Sequence, residues 1–391
     1  MANVSSSNGL EKYPKLRFPG FDEPWKTVRL SDVTSFRRQR TKSPKNVYVS
    51  TENLLQNFEG IVAYLDKDEV EGIAFMPGDT LLANIRPYLK KAWLASFEGI
   101  CSADVLAFSP EKITASFLYD IIARDCFIEY VMGGVKGSKM PRGDKAHILE
   151  YEFAIPKKSE QEKISAFLVS IDHRIKKQRE MIAVLKKYKR GLLHEILCEK
   201  IKVTKSVWNV HKIGDYLDSK NIKQLPTPDA PLMAFTATGG VCDKGERYDR
   251  GFLVKDASTK LYKRTDLNDF IYSSNNLDVG SIGLNLYGSS VISDVYEIFS
   301  ISGADPWFIS EAIQQKSVLH QILKYRQGCL YGQYRIYAED FLEVSIRVPP
   351  LEAQKQIGTI FSRIEYRIKS EQALLDNLER AKTFFLQQLF I

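Results

Sequence analysis

Two stretches of the chain carry a helical hydrophobic period that sets them apart from the rest. From Pro156 onward, apolar residues fall at Ile164, Leu168, Ile171, Ile175, Ile182, Leu185, Leu192 and Ile196. Those steps of three, four and seven mark the a/d seam of a heptad repeat. After Pro349 the seam returns at Ile357, Phe361, Ile364, Ile368, Leu375, Leu378, Phe385 and Leu389, each 193 positions beyond its counterpart. The interruptions return too: Gln178 and Glu371 occupy one gap, Lys189 and Lys382 the next. The first stretch has no glycine before Gly191. Each predicts a long helix opening just past a proline, with Ser159 and Glu162 as a capping box in the first. At about 1.5 Å per residue, Ile164 to Ile196 spans roughly 48 Å.

The segments before these helices also correspond. Trp25 in EPWKTVRLSDV matches Trp208 in SVWNVHKIGDYL; GDTLLANIRPYL, from Gly78, matches NDFIYSSNNLDV, from Asn268; Asp104 matches Asp294 and Pro156 matches Pro349. The offset drifts from 183 through 190 to 193, so loop lengths have changed while the plan has not. Two copies are too few for a solenoid. The pattern predicts an α/β chain of the mixed α+β kind: a globular domain over 1–155, a helix within 156–200, a second globular domain over 201–348 and a helix within 349–391.

A lone helix with such a seam is marginal in water and needs a partner for its apolar face. Either the second copy in the same chain supplies it, or two chains form a coiled-coil homodimer; the matching gaps favour the first. The seam residues expected to pair are Ile164, Leu168, Ile171, Ile175, Ile182 and Leu185 with Ile357, Phe361, Ile364, Ile368, Leu375 and Leu378. Antiparallel pairing places one domain at each end of a shared rod and relates the halves by a pseudo-two-fold axis.

Composition adds modest constraints. The chain has 391 residues, enough for two ordinary cores, and its 19 Tyr and 21 Phe exclude a disordered composition. The net charge of +7 favours a polyanionic partner only weakly. Cys101, Cys126, Cys198, Cys242 and Cys329 are scattered without a C-x-x-C pair, so a disulfide framework and a zinc site are not expected and a reduced, cytoplasmic setting fits. The opening MANVSSSNGLEKYPKLRFPGF has no signal-peptide core, and no apolar run is long enough to span a membrane.

The order of domain, P-x-x-x-E-Q-x-x-I helix, domain, P-x-x-x-x-Q-x-x-I helix resembles the DNA-specificity subunits of type I restriction–modification systems. The carriers are IPKKSEQEKISAFLVSIDHRI and VPPLEAQKQIGTIFSRIEYRI, with PKLRFPGF, GDTLLANIRPYLKKA and GSKMPRGDKAHILEYEFAIP beside them. The resemblance covers essentially the whole chain. It implies two target-recognition domains, each reading one half of an asymmetric bipartite site in double-stranded DNA. It also implies helices that set the unread spacer and dock two methyltransferase (M) subunits. Cofactors are then expected in the partners: S-adenosylmethionine in the adenine-N6 methyltransferase, ATP and Mg in the restriction (R) translocase–nuclease. This chain is expected to be a non-catalytic targeting subunit with no metal.

The residues agree with that division of labour. The motif [DNS]-P-P-[YFW], by which amino-methyltransferases hold a flipped base, has only the distant echo ADPWF at 304–308. GGVKGSK, from Gly133, lacks P-loop spacing. His147, His173, His194, His211 and His320 show no ligand spacing, and no acidic nuclease cluster is evident.

DNA reading needs cations for phosphates and polar groups for base edges. In the first half the candidates are Arg86, Lys90 and Lys91 in RPYLKK, and Lys136, Lys139 and Arg142 in GGVKGSKMPRGDK; Arg86 has a second reading as a structural ion pair. In the second half they are Lys260, Lys263 and Arg264; Asn275 and Asn276, alternatively a turn; and Gln333, Tyr334 and Arg335 in QGCLYGQYRIY, beside Gln327 and Tyr331. Lys176, Lys177, Arg179, Lys186, Lys187, Lys189 and Arg190 crowd the first helix, as a solvated face or as a line of charge toward DNA or an acidic partner. Two other functions remain to be weighed: a two-headed coiled coil that bridges proteins without DNA, and a free-standing enzyme, which lacks any nucleophile, metal or cofactor signature.

Overall fold

The structure is a computed structural model that describes residues 2–3, 13–63, 68–137, 139–237, 239–243, 259–275, 277, 281–330 and 333–391, with backbone alone at 2, 3, 329, 330 and 333. It divides into two units. One joins residues 1–179 to 374–391, the other is 180–373. Each therefore combines a globular domain with a segment of both long helices, Lys158–Leu197 and Leu351–Gln388.

The two globular parts follow one plan. In the first unit a four-stranded sheet runs in the order Thr34–Phe36, Val105–Pro110, Thr80–Ala83, Ala92–Leu94. In the second the order is Leu217–Ser219, Tyr296–Ile301, Phe270–Ser273, Ile282–Leu284. The central strands TLLA and FIYS are buried at every position, as strands covered on both faces must be. In each globular part an early strand also pairs with the last one, Lys26–Arg29 with Glu152–Ile155 and Asn209–Lys212 with Ser345–Val348. That ladder delivers the chain to Pro156 or Pro349 at the foot of its long helix.

Within each unit the helix segments run antiparallel. In the first, Phe167 meets Phe385 edge-on at 4.9 Å, Asp172 pairs with Lys382 at 2.6 Å, and Arg179 pairs with Glu379 at 2.7 Å. Numbers rise on one helix as they fall on the other. In the second, Lys189 pairs with Glu365 at 2.9 Å, and Ile196 shares a core with Ile357. Ile164, Leu168, Ile171, Ile175, Ile182, Ile357, Phe361, Ile368 and Leu375 are buried; Leu185, Ile364 and Leu378 are half-buried.

The helix ends finish the cores. The first core takes Ile164 and Leu168 from the start of one helix and Leu389 and Phe390 from the end of the other. Phe390 stacks on Phe117 at 5.4 Å and meets Trp25 edge-on at 6.5 Å. The second core takes Ile357 and Phe361 from one helix and Ile196 and Leu197 from the other, with Trp208 edge-on to Phe308. The repeated tryptophans thus serve matching cores, Trp25 buried within the first and Trp208 half-buried against the second.

The shared Gln of the tail motif has a matching role in each half. Buried Gln161 donates from Nε2 to the Pro156 carbonyl (2.9 Å) and accepts at Oε1 from the Thr114 N–H (2.9 Å). Buried Gln354 donates to the Pro349 carbonyl (2.9 Å) and accepts from the Asp305 N–H (3.0 Å). Thr114 and Asp305 are themselves N-caps, accepting from Phe117 and Phe308. One amide therefore fastens the start of each long helix to the start of a domain helix. The neighbouring Glu160 holds Arg17 of PKLRFPGF through two 2.8 Å bonds, buried on both sides. The second copy has Ala353 at the place of Glu160. The expected capping box is not formed: the helix opens at Lys158, Lys157 accepts from the N–H groups of Glu160 and Gln161, and Ser159 lies inside the first turn.

The seam gaps are also filled alike. Lys189 lies between Glu311 (2.6 Å) and Glu365 (2.9 Å). Burial lowers its pKa, but the two carboxylates outweigh that and the net direction is upward. Lys382 pairs with Asp172, the residue 193 positions before Glu365. Near it, Asp120 is buried and accepts from the Ser165 hydroxyl at 2.6 Å. Burial pushes the Asp120 carboxyl up to about 7; the Ser165 bond and Lys382 oppose that, while Asp172 adds to it.

Gln161→Ala and Gln354→Ala each strand buried backbone groups, and each is expected to cost about 2 kcal/mol in urea unfolding. For Asp120 the sign is set by a folded-state pKa above the usual 3.8. The folded chain keeps a proton that the unfolded chain has lost, so its contribution is greatest below the usual value and is lost as pH rises through about 7. Asp120→Asn retains a partner for Ser165, and should flatten the fall in stability between pH 4.5 and 7.5 measured by urea unfolding.

Candidate nucleic-acid interface

In the first unit two separate candidate stretches come together. Strand Thr80–Ala83 ends at Asn84, and the following loop turns through left-handed backbone at Arg86 and Lys90. The Arg86 N–H donates to the Pro141 carbonyl (2.9 Å), Gly143 N–H donates to the Asn84 carbonyl (3.3 Å), and Ile85 bridges to Arg142. Lys136 and Arg142 exchange backbone bonds. RPYLKK and GGVKGSKMPRGDK thus form one surface. A Cβ at Gly143 would lie 2.8 Å from the Asn84 amide oxygen and 3.0 Å from Ile148 and Val131, so any larger residue there must displace those side chains.

The cations on this surface differ in freedom. Arg86 and Lys139 are exposed and make no ion pair among the described residues. Arg142 pairs with Asp104 (3.0 Å), Lys136 with Asp144, and Lys90 with Asp125 (2.8 Å). These pairs are exposed, so each contributes little and can be exchanged for a phosphate. Lys91 instead donates to the Thr51 carbonyl at 2.7 Å, tying down the neighbouring loop. Exposed Tyr88 and Met140 stand among them.

Backbone strain collects here. Among the described residues, six non-glycine residues have positive φ, and four of them are Asn57, Phe58, Arg86 and Lys90. The two loops touch, with Phe58 N–H donating to the Lys90 carbonyl at 2.8 Å. Such strain persists where surrounding structure imposes it, as at binding loops. Asn57 tolerates this backbone and is legible in sequence; Phe58 gives no signal.

The second unit furnishes the equivalent place differently. Ser274 follows strand Phe270–Ser273 and accepts from the Ile336 N–H (3.0 Å). In place of the glycine-rich loop stands a hairpin, Gln327–Leu330 with Gln333–Arg335. Its flanks expose Tyr325, Tyr334 and Tyr337. The Arg326 guanidinium lies over Tyr334 (5.7 Å) and that of Arg335 over Tyr337 (4.9 Å). Arg335 also reaches Glu297 at 3.4 Å, and Gln327 donates to Asp340 at 2.6 Å. Tyr88, Tyr325, Arg326 and Tyr337 were not among the sequence candidates; alternation of Tyr with Arg in KYRQ and QYRIY is the signal that points to the last three.

The remaining candidates scatter. Lys263 is buried: its ammonium meets the Tyr296 carbonyl (2.8 Å) and Glu297 (3.0 Å), which removes it from the open surface. It lies on strand Tyr262–Thr265 opposite Ile292, where a long side chain can reach only inward partners. Arg264 is held by Asp266 at 3.1 Å, whose carboxyl burial raises but Arg264, Lys220 and Ser289 bring below the usual range. Lys260 is exposed, over the Tyr262 ring at 5.4 Å. Asn275 accepts from the Ser274 hydroxyl at 3.4 Å. Asn276, Tyr331 and the side chain of Gln333 lie outside the described residues. Among the described residues no group of His, Cys, Asp and Glu is placed to hold a metal, and no helix is long and apolar enough to cross a membrane.

With this geometry in hand, comparison with known proteins places the fold in a family. The model of the type I restriction modification DNA specificity domain matches twice, over residues 22–187 and 207–380. The chain belongs to that family. The specificity subunit of the type I restriction enzyme EcoDI from Escherichia coli is 22% identical over 168 residues, covering 41% of this chain and 37% of that relative. The chain thus matches well under two thirds of that relative's length. In overall fold it is similar to the S subunit of a type I restriction-modification system from M. genitalium, with a TM-score of 0.65 and 14% identity over 97% of this chain and 99% of that one. It is also similar to a chain from work on complex assembly and conformational transition of the type I R-M system, with a TM-score of 0.53 and 17% identity over 96% and 98%.

The division between anchored and free cations is testable without DNA. Lys263→Ala leaves the largely enclosed Glu297 with Arg335 alone, at 3.4 Å, and strands the Tyr296 carbonyl, and is expected to cost about 2 kcal/mol. Arg86→Ala and Lys139→Ala should each stay within about 0.5 kcal/mol of the parent in the same urea titration.

Proposed function

We propose that this chain is the DNA sequence-specificity subunit of a type I restriction–modification enzyme. Each target-recognition domain, over 1–155 and 201–348, reads one half of an asymmetric bipartite site in double-stranded DNA. The helical segments 156–200 and 349–391 set the unread spacer and dock two M subunits, which bring S-adenosylmethionine and methylate adenine N6. R subunits bring the ATP- and Mg-dependent translocase and nuclease. The chain itself is a non-catalytic targeting subunit that works in the cytoplasm.

The observation that carries this reading is a scaffold whose sheet order and helix-anchoring amide bonds repeat beneath two unlike surfaces. Gln161 and Gln354 make the same bonds, while one strand end bears a glycine-rich loop with Arg86, Lys139 and Arg142 and the other an Arg/Tyr hairpin. Two readers of different half-sites need this combination. The cations can hold phosphates. Arginine beside tyrosine offers a bidentate donor for guanine and a flat face for sugar and base.

Co-expression with its methyltransferase subunit in a methylation-free host should produce N6-methyladenine at one split motif with a fixed spacer, read by long-read sequencing. A stable complex that methylates nothing would favour a protein-bridging role. In that complex, Arg86→Ala and Lys139→Ala should each weaken binding across sequences and reduce the slope of log K against log salt by about one.

A further inference from the structure

We propose that Lys189 and Lys382, with the carboxylates around them, lock the register of the two long helices and so determine which spacer length is accepted. The inference rests on the function proposed above.

An a/d seam alone fixes register poorly, because apolar positions one turn or one heptad along offer similar side chains. The ends of these helices show it: Phe385 and Leu386 precede Leu389 and Phe390 by one turn, and the first core already packs all four. A cation in the seam has no such tolerance. Lys189 meets Glu365 on the opposite helix and Glu311 on the domain helix Pro306–Ile313. Lys382 meets Asp172.

The sequence disfavours the alternatives. If the helices slipped by one turn, Lys189 would face Phe361 or Lys369 in place of Glu365, and Lys382 would face Leu168 or Lys176 in place of Asp172. A heptad slip would set Lys189 against Gly358 or Gln372, and Lys382 against Ser165 or Arg179. None of these eight residues is a carboxylate and three are cations, so each slipped register strands both lysines or repels them. Polar seam residues that cost stability and fix register are an established use of such groups. Slips of one turn and one heptad move a helix by about 6 and 10 Å, about two and three base pairs of duplex.

The test replaces the charges together, so that no carboxylate is left alone: Lys189→Met, Glu311→Leu and Glu365→Leu with Lys382→Met and Asp172→Leu, in the full chain co-expressed with its methyltransferase subunit. The variant should melt at or above the parent temperature. It should still methylate both half-sites, with methylation at spacers two or three base pairs longer or shorter rising at least about tenfold relative to the parent. Retention of the parent's single spacer at undiminished discrimination would overturn the proposal. So would a melting temperature lowered by more than about 5 °C, since the groups would then serve stability and not register. A parent complex that methylates no split site would instead bring down the function on which the lock rests, and the lock's role in spacing with it.

Discussion

Each globular core is finished by the end of a helix that begins in, or leads from, the other half of the chain. Without Leu389 and Phe390 the first core lacks the ring stacked on Phe117 and set edge-on to Trp25; without Ile196 and Leu197 the second lacks the matching wedge. Burying those side chains offsets the entropy of closing very long loops.

Polar contacts then do what apolar burial cannot. Gln161 and Gln354 define the angle at which each long helix leaves its domain, because an amide with two fixed partners has one orientation. Arg17 and Glu160 add a third tie in the first half alone. The second half, with Ala353 at that place, relies on Gln354 and packing. Carboxylate partners are unevenly shared, two each for Lys189 and Lys220 and none among the described residues for Arg86 and Lys139, so the net charge of +7 is a poor guide to any surface. Arg86 and Lys139 differ from Lys263 by environment, not by residue type.

What the sequence disclosed follows from periodicity. The helices, their antiparallel pairing within units and the duplicated plan could be read from spacings of three and four and from an offset that drifts through the domains and holds at 193 along the helices. The cap at Ser159 misled because the S-x-x-E pattern coincides with a start set two residues earlier by Lys157. Lys263 looked like a surface cation because strand alternation around it is broken; TKLYKRT gives no clear inward face. Contacts between distant segments were beyond reach: nothing local announces that Arg86 bonds to Pro141, or that Phe58 adopts left-handed backbone beneath Lys90. Tyr334 and Arg335 are legible as candidates in QGCLYGQYRIY, whereas Tyr325, Arg326 and Tyr337 show only as alternation of Tyr with Arg.

The place of Phe390 in the first core has a consequence for how the protein is made. Leu168 and Leu389 lie in one cluster yet are some 220 positions apart. At ribosomal speeds of about 5–20 residues per second, roughly ten to forty seconds separate their synthesis. For that time the N-terminal half waits on the ribosome with an apolar slot beside Trp25 and Phe117 unfilled. The usual order, in which an N-terminal domain matures before its successor emerges, is therefore closed to this chain. Its first domain is completed last, and a nascent chain is exposed to chaperones and to mispairing with its neighbours on the same message until residue 390 has been added.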